Sequence, residues 1–111
     1  MKDKYYELIE QAEELTLQWA IGQGIPLYKI DCVVVFEEWS NGIGVYIFFE
    51  NEEDRLMAQE KGILKEIENY HSGILREMGY PFNKYPEVNY IFDSDENVRK
   101  NYEGNYFFRL R

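Results

Sequence analysis

Apolar residues recur every three or four positions in two long stretches of the chain, and this spacing predicts two amphipathic helices. The first helix covers residues 3–22 and ends before a Gly-x-Gly-x-Pro sequence, which stops helices. The second helix covers residues 52–78 and carries Lys61-Gly62 near its middle. Because glycine is a poor helix former, we expect a break in the second helix at this point.

Three further segments are rich in β-branched and aromatic residues and predict strands, at residues 29–39, 43–50 and 88–93. Ser40-Asn41-Gly42 separates the first two segments, and Asn-Gly in this position is typical of a hairpin turn. We therefore expect the first two strands to pair antiparallel. Both faces of these strands are apolar, which predicts that they are central or covered on both sides.

The last twenty residues predict a strand, a short capped helix, a glycine stop and a final strand. Ser94 can cap a helix over residues 94–102, and acidic residues follow it in the first turn, where the helix dipole favours carboxylates. Gly104 supplies a residue that tolerates positive φ at the helix end. Residues 106–111 follow this glycine stop, begin with three aromatic side chains and predict a fourth strand.

Together these elements predict one α+β domain over residues 1–111, in the order α-β-β-α-β-α-β. We expect a four-stranded, mostly antiparallel sheet with the two long helices on one face. A chain of 111 residues leaves no room for two cores, and its 45% hydrophobic and 17% aromatic content is enough for one.

The net charge of −9 changes the functional picture most. Such a charge repels nucleic acid and anionic membranes, so we expect neither as a partner. It favours a basic protein partner, although an acidic surface also serves solubility alone. The N-terminus lacks a signal-like apolar core and no apolar run approaches the length of a bilayer span, which predicts a cytoplasmic protein.

The residue types that perform chemistry are scarce in this chain. Cys32 lies in an apolar run and is expected to be a small core residue, and His71 is expected to be a partly exposed helix residue. Residues 93–97 match the first positions of a calcium loop, but Val98 and Gly104 stand where that loop needs glycine and glutamate. We therefore predict no enzyme activity, no cofactor and no metal.

Acidic clusters with a neighbouring tryptophan predict a surface for a basic protein, because carboxylates steer the encounter and aromatic side chains anchor the complex. A solvated face with carboxylates at a helix N-terminus explains the same residues without a partner. The candidate partner-binding residues are Glu37, Glu38, Trp39, Glu52, Glu53 and Asp54.

Residues 92–98 and 102–107 resemble small acidic immunity proteins of bacterial polymorphic toxin and contact-dependent inhibition systems. In those proteins a strand is followed by Ser-x-Glu, a short helix and a Gly-Asn-aromatic strand, and the helix over residues 54–79 is similar too. The resemblance implies stoichiometric binding of a cognate toxin, often a nuclease, without turnover. A small acidic regulatory or adaptor domain, possibly self-associating, is the alternative.

Overall fold

The structure is a computed structural model that describes residues 2–35 and 42–110, with side chains from residues 5–33 and 42–110. The chain forms five helices and three strands within these ranges. In order they are α1 (Lys2–Gly22), β1 (Leu27–Val35), β2 (Gly42–Phe49), α2 (Glu52–Glu60), α3 (Ile63–Glu77), β3 (Glu87–Ser94), α4 (Asp95–Asn101) and α5 (Tyr106–Arg109).

The described strands form one mixed sheet in the order β1-β2-β3. β1 pairs antiparallel with β2, with Cys32 opposite Val45, as the hairpin signal predicts. β2 pairs parallel with β3, with Val45 opposite Tyr90. The prediction of a four-stranded, mostly antiparallel sheet is therefore wrong. After β2 the helices α2 and α3 return the chain to the end of the sheet at which β2 begins. Such a crossover makes the next strand parallel to β2.

The predicted fourth strand is instead the short helix α5. Asn105 has an extended backbone and its side chain accepts a hydrogen bond from the Phe108 N–H, so it caps a helical turn. The Tyr106 ring packs edge-on against Phe48, with the ring centroids 4.8 Å apart. A helical turn places this ring on the sheet, whereas a strand would have extended the sheet edge.

Other local predictions are confirmed. The long second helix breaks at Gly62, which has a φ of 73° and separates α2 from α3. Ser94 caps α4 by accepting a hydrogen bond from the Asn97 N–H, and Gly104 has a φ of 73° beyond the helix end. The turn residues Ser40 and Asn41 lie outside the described residues.

The core lies on one face of the sheet, between the sheet and the helices α1 and α3. Alternate residues of β2 from Ile43 to Phe49 are buried there together with residues of both helices. Trp19 of α1 stacks on Tyr70 of α3 with their ring centroids 4.2 Å apart. In the part of the chain that the structure describes, no helix is long and apolar enough to cross a membrane.

β3 lies so close to β2 at Gly42 that this position has no room for a side chain. Gly42 lies opposite Glu87 of β3, and a Cβ atom at this position would lie 1.6 Å from the Glu87 carbonyl oxygen. Gly44 is different, because a Cβ atom there would meet only side-chain atoms at 3.6 Å and beyond. A residue without a side chain is therefore required at Gly42 for β3 to pair along its whole length.

Candidate functional site

The surface that the sequence predicts for a partner divides into two parts. Its hairpin part, Glu37, Glu38 and Trp39, lies outside the described residues. Its other part, Glu52, Glu53 and Asp54, forms the first turn of α2. The prediction for the hairpin part therefore stays a prediction, and the structure describes the α2 part of this surface.

The Glu52 carboxylate is already hydrogen-bonded within the protein. Its carboxylate accepts a hydrogen bond from Arg55 Nη2 at 2.8 Å and another from the Ser94 hydroxyl. The Arg55 hydrogen bonds, with a further contribution from Ser94, hold the pKa of Glu52 below its usual range. Of the three acidic residues in this turn, Glu53 is the exposed one. The α2 part is therefore a weaker partner surface than its composition predicts.

The N-termini of α2 and α4 cap each other where β2 and β3 end. The Glu52 N–H donates to the Glu96 Oε1 atom at 2.9 Å, while Ser94, which caps α4, donates its hydroxyl to Glu52. The Glu96 N–H also donates to the Glu50 carbonyl oxygen at 3.2 Å. Crevices at the carboxyl ends of parallel strands commonly bind ligands. Here the protein's own carboxylates occupy the helix N-termini that would attract an anion.

A buried carboxylate ties α5 to the sheet. Asp93 is 6% exposed and accepts hydrogen bonds from the Ser94 N–H at 2.8 Å and from Asn97 Nδ2 at 2.9 Å. Arg109 of α5 donates to the same carboxylate and forms an ion pair with it. All of these partners lie within the chain, so this polar cluster is structural.

An open groove with a volume of about 470 Å³ lies between α1 and β1. We call it the α1 groove. Neither lysine nor arginine is among its described lining residues. They are Glu7, Glu10, Gln11, Glu13, Glu14, Leu17 and Ile30. Helical spacing brings four carboxylates of α1 to this groove, and the acidic clusters predicted from the sequence do not include them because only Glu13 and Glu14 are adjacent in the chain.

Glu13 lies deepest among these carboxylates, against the edge of β1. It is within hydrogen-bonding reach of the backbone N–H and the thiol of Cys32. Burial, with the nearby charges of Asp31 and Glu10, raises the pKa of Glu13 to about 7. Burial and the Glu13 charge also raise the pKa of the Cys32 thiol, so the thiol stays protonated. Cys32 is half-buried against the core and carries no nucleophile character.

The prediction that His71 is a partly exposed residue is wrong, because its side chain is fully buried. Its Nδ1 atom lies 2.9 Å from the Tyr90 hydroxyl, and its Nε2 atom has no hydrogen-bond partner among the described residues. Burial lowers the pKa of His71 to about 4, so the ring is neutral at pH 7. The signal was present in the sequence, since Ile67, His71 and Leu75 share the apolar stripe of α3 at four-residue spacing.

As the pH falls from 7 to 4.5, His71 and Glu13 change the free energy of unfolding in opposite directions. The pKa of His71 falls from 6.5 unfolded to about 4 folded, so below pH 6.5 the unfolded chain binds more protons and stability falls. The pKa of Glu13 rises from 4.5 to about 7, so stability rises as the pH falls through this range. Between pH 6.5 and 4.5 the two effects largely cancel.

We expect the E13Q variant to reveal the effect of His71. Its free energy of unfolding should exceed that of the wild type above pH 7, and should fall by about 3 kcal/mol between pH 6.5 and 4. Urea denaturation across this pH range measures both quantities. The E13Q/H71N double variant is the control and should lose most of this fall. An E13Q profile with the shape of the wild-type profile would contradict the assignment.

Among the described residues, no three His, Cys, Asp or Glu side chains are grouped to hold a metal ion. The α1 groove is the feature of the described residues that best suits a basic binding partner. Comparisons with protein-family models, with curated proteins and with solved structures find no match to this chain.

Proposed function

We propose that this chain is an immunity-type protein that binds a basic toxin domain in a stoichiometric complex and neutralises it in the bacterial cytoplasm. The observation that carries the proposal is the α1 groove, in which four carboxylates meet without a basic residue among its described lining. The resemblance of residues 92–98 to acidic immunity proteins supports the same function, whereas residues 106–109 form a helix where those proteins have a strand.

The α1 groove combines the two properties that such an interface needs. Its carboxylates belong to a chain with a net charge of −9, and this field accelerates the encounter with a basic protein. Leu17 and Ile30 add apolar surface at which a partner side chain can be desolvated. A nuclease toxin binds phosphates with a basic surface, and an acidic groove that covers this surface would block its substrate.

The groove is a better candidate than the first turn of α2. Its acidic lining includes the exposed Glu7, Glu10 and Glu14, whereas Glu52 is held by Arg55 and Ser94. A carboxylate that already has a cationic partner gains little from a second one, because the first partner has compensated its charge. The proposed contact face is therefore centred on α1.

Charge reversal within the groove tests this proposal. The E10K/E14K variant should associate with the toxin encoded by the neighbouring gene at least tenfold more slowly at low salt, and its rate should depend less on salt. Stopped-flow binding and co-expression of toxin and variant in cells measure association and protection. The thermal unfolding of the variant should stay close to that of the wild type, because both side chains are exposed.

The E60K/E66K variant is the matched control, since it changes the net charge equally on exposed residues of α2 and α3 that belong to neither candidate surface. Equal slowing by both variants would mean that total charge matters and the groove does not. The immunity proposal itself fails if the wild-type protein neither binds the toxin nor protects cells from it.

A self-associating adaptor domain is the second candidate, and exposed aromatic side chains near α5 favour it. Phe107 is 66% exposed, Tyr28 is 50% exposed and Phe108 is 47% exposed. Sedimentation of the purified protein distinguishes the candidates. A dimer that the F107S/F108S variant abolishes would support the adaptor, whereas a monomer would oppose it.

A further inference from the structure

β1 is an edge strand, because it pairs with β2 on one side and the described residues place no strand on its other side. It is nine residues long. An edge strand presents a row of unpaired backbone N–H and C=O groups, and an extended peptide can add to it as a further strand. Proteins usually protect such an edge from pairing with other chains. In this protein the Glu13 carboxylate lies at the edge of β1, and its position shows which backbone N–H groups face outward.

Glu13 identifies the direction in which the free backbone groups of β1 point. Its carboxylate lies within hydrogen-bonding reach of the Cys32 N–H, so this N–H points away from β2 and toward α1. Backbone groups alternate in direction along a strand, so the N–H groups of Ile30 and Val34 point the same way. Ile30 also lines the α1 groove. The groove therefore reaches β1 at Ile30, next to the outward-facing side of the strand.

The charge along this edge selects the kind of segment that could pair with it. Glu7, Glu10 and Glu14 line the groove on the α1 side, next to Glu13. A neutral or acidic strand entering here would place its side chains among uncompensated carboxylates. A strand that carries lysine or arginine would compensate these charges, and a cation beside Glu13 would favour its ionised form.

We propose that a basic, extended segment of the partner enters the α1 groove and pairs with the free edge of β1 as a fourth strand. This inference rests on the proposed function and adds to it the backbone conformation of the partner segment. The segment's carbonyl groups accept hydrogen bonds from Ile30, Cys32 and Val34, and its basic side chains contact the carboxylates of α1. Glu13 releases the Cys32 N–H and pairs with a cation of the segment.

A synthetic peptide of four Lys-Val repeats with blocked ends provides a defined probe, because it is basic and favours the extended conformation. A matched peptide carries N-methyl groups on its two central residues, one on each edge of the strand, and keeps the same charge and side chains. Fluorescence anisotropy with the 111-residue protein measures both affinities. We expect the N-methylated peptide to bind about tenfold more weakly or worse, because it loses hydrogen bonds and close approach.

Amide hydrogen exchange locates the contact. The parent peptide should slow exchange of the outward amides of Ile30, Cys32 and Val34 and leave the amides of β3 unchanged. The E10K/E14K variant should weaken binding of both peptides, because it changes the charge and leaves the edge intact. A peptide of Glu-Val repeats should bind at least tenfold more weakly than the Lys-Val peptide.

Three results would overturn strand addition: equal binding of the parent and N-methylated peptides, protection confined to residues outside β1, or no binding of the parent peptide at millimolar concentration. None of these results rejects the proposed immunity function, because a folded toxin could bind the groove with a basic surface and without adding a strand. Conversely, the peptide could pair with β1 while the protein fails to protect cells. This outcome would confirm the interaction surface and reject the immunity function.

Discussion

Replacing Arg109 with methionine is expected to lower the free energy of unfolding by about 3–5 kcal/mol, which is the usual effect of leaving a buried charge without its partner. The Asp93 side chain is 8% exposed, and Arg109 is the cation that pairs with it. Methionine keeps much of the apolar contact of the arginine stem, so the measured loss reports mainly on the charge. Urea denaturation monitored by far-UV circular dichroism measures the change.

Two further variants test whether the loss of stability comes from the unpaired charge of Asp93. The D93N/R109M variant leaves no buried charge and should recover a large part of the lost stability. The K100M variant removes an ion pair with Glu96 in which the lysine side chain is 68% exposed, and should change stability by less than about 1 kcal/mol. If R109M is as stable as K100M, the hydrogen bonds from Asn97 and Ser94 are enough to hold the Asp93 charge.

Replacing Gly42 with alanine is expected to lower the free energy of unfolding by about 3 kcal/mol, because the added methyl group overlaps the Glu87 carbonyl oxygen. Backbone atoms cannot rotate away as a flexible side chain can, so the beginning of β3 must separate from β2. The G44A variant is the matched control in the same strand and should change stability by less than about 1 kcal/mol. Equal melting temperatures for the two variants would contradict the close approach.

The elements that sequence reasoning located correctly depend on interactions between near neighbours in the chain. The cap at Ser94 and the break at Gly62 involve backbone groups within a few residues, so the signal is complete in the local sequence. The pairing of β1 with β2 is almost as local. The direction of β3 is different, because it depends on the path of α2 and α3 across the sheet.

The final helix shows two local signals in competition. The aromatic residues Tyr106, Phe107 and Phe108 favour a strand, whereas Asn105 favours a helix cap. The contact of Tyr106 with Phe48 and the ion pair of Arg109 with Asp93 both require the helical turn. Neither contact can be inferred before the arrangement of the sheet is known.

The candidate site was only partly predictable for a similar reason. The acidic character of the chain follows from its composition, but adjacent acidic residues are a poor guide to which carboxylates lack a partner. Glu52 belongs to a dense acidic run and is nevertheless held by Arg55 and Ser94. The glutamates of α1 span eight positions of the sequence, and helical spacing brings them to one groove beside β1.

The reciprocal capping of α2 and α4 makes these two helices one cooperative unit of unfolding. Because the first N–H of α2 is satisfied by Glu96 and Ser94 donates to Glu52, unravelling the start of either helix exposes polar groups of the other. Detaching the C-terminal segment therefore also weakens the start of α2. Opening of α4 should cost more than the fraying of an isolated helix of seven residues, because it leaves polar groups of both helices without partners.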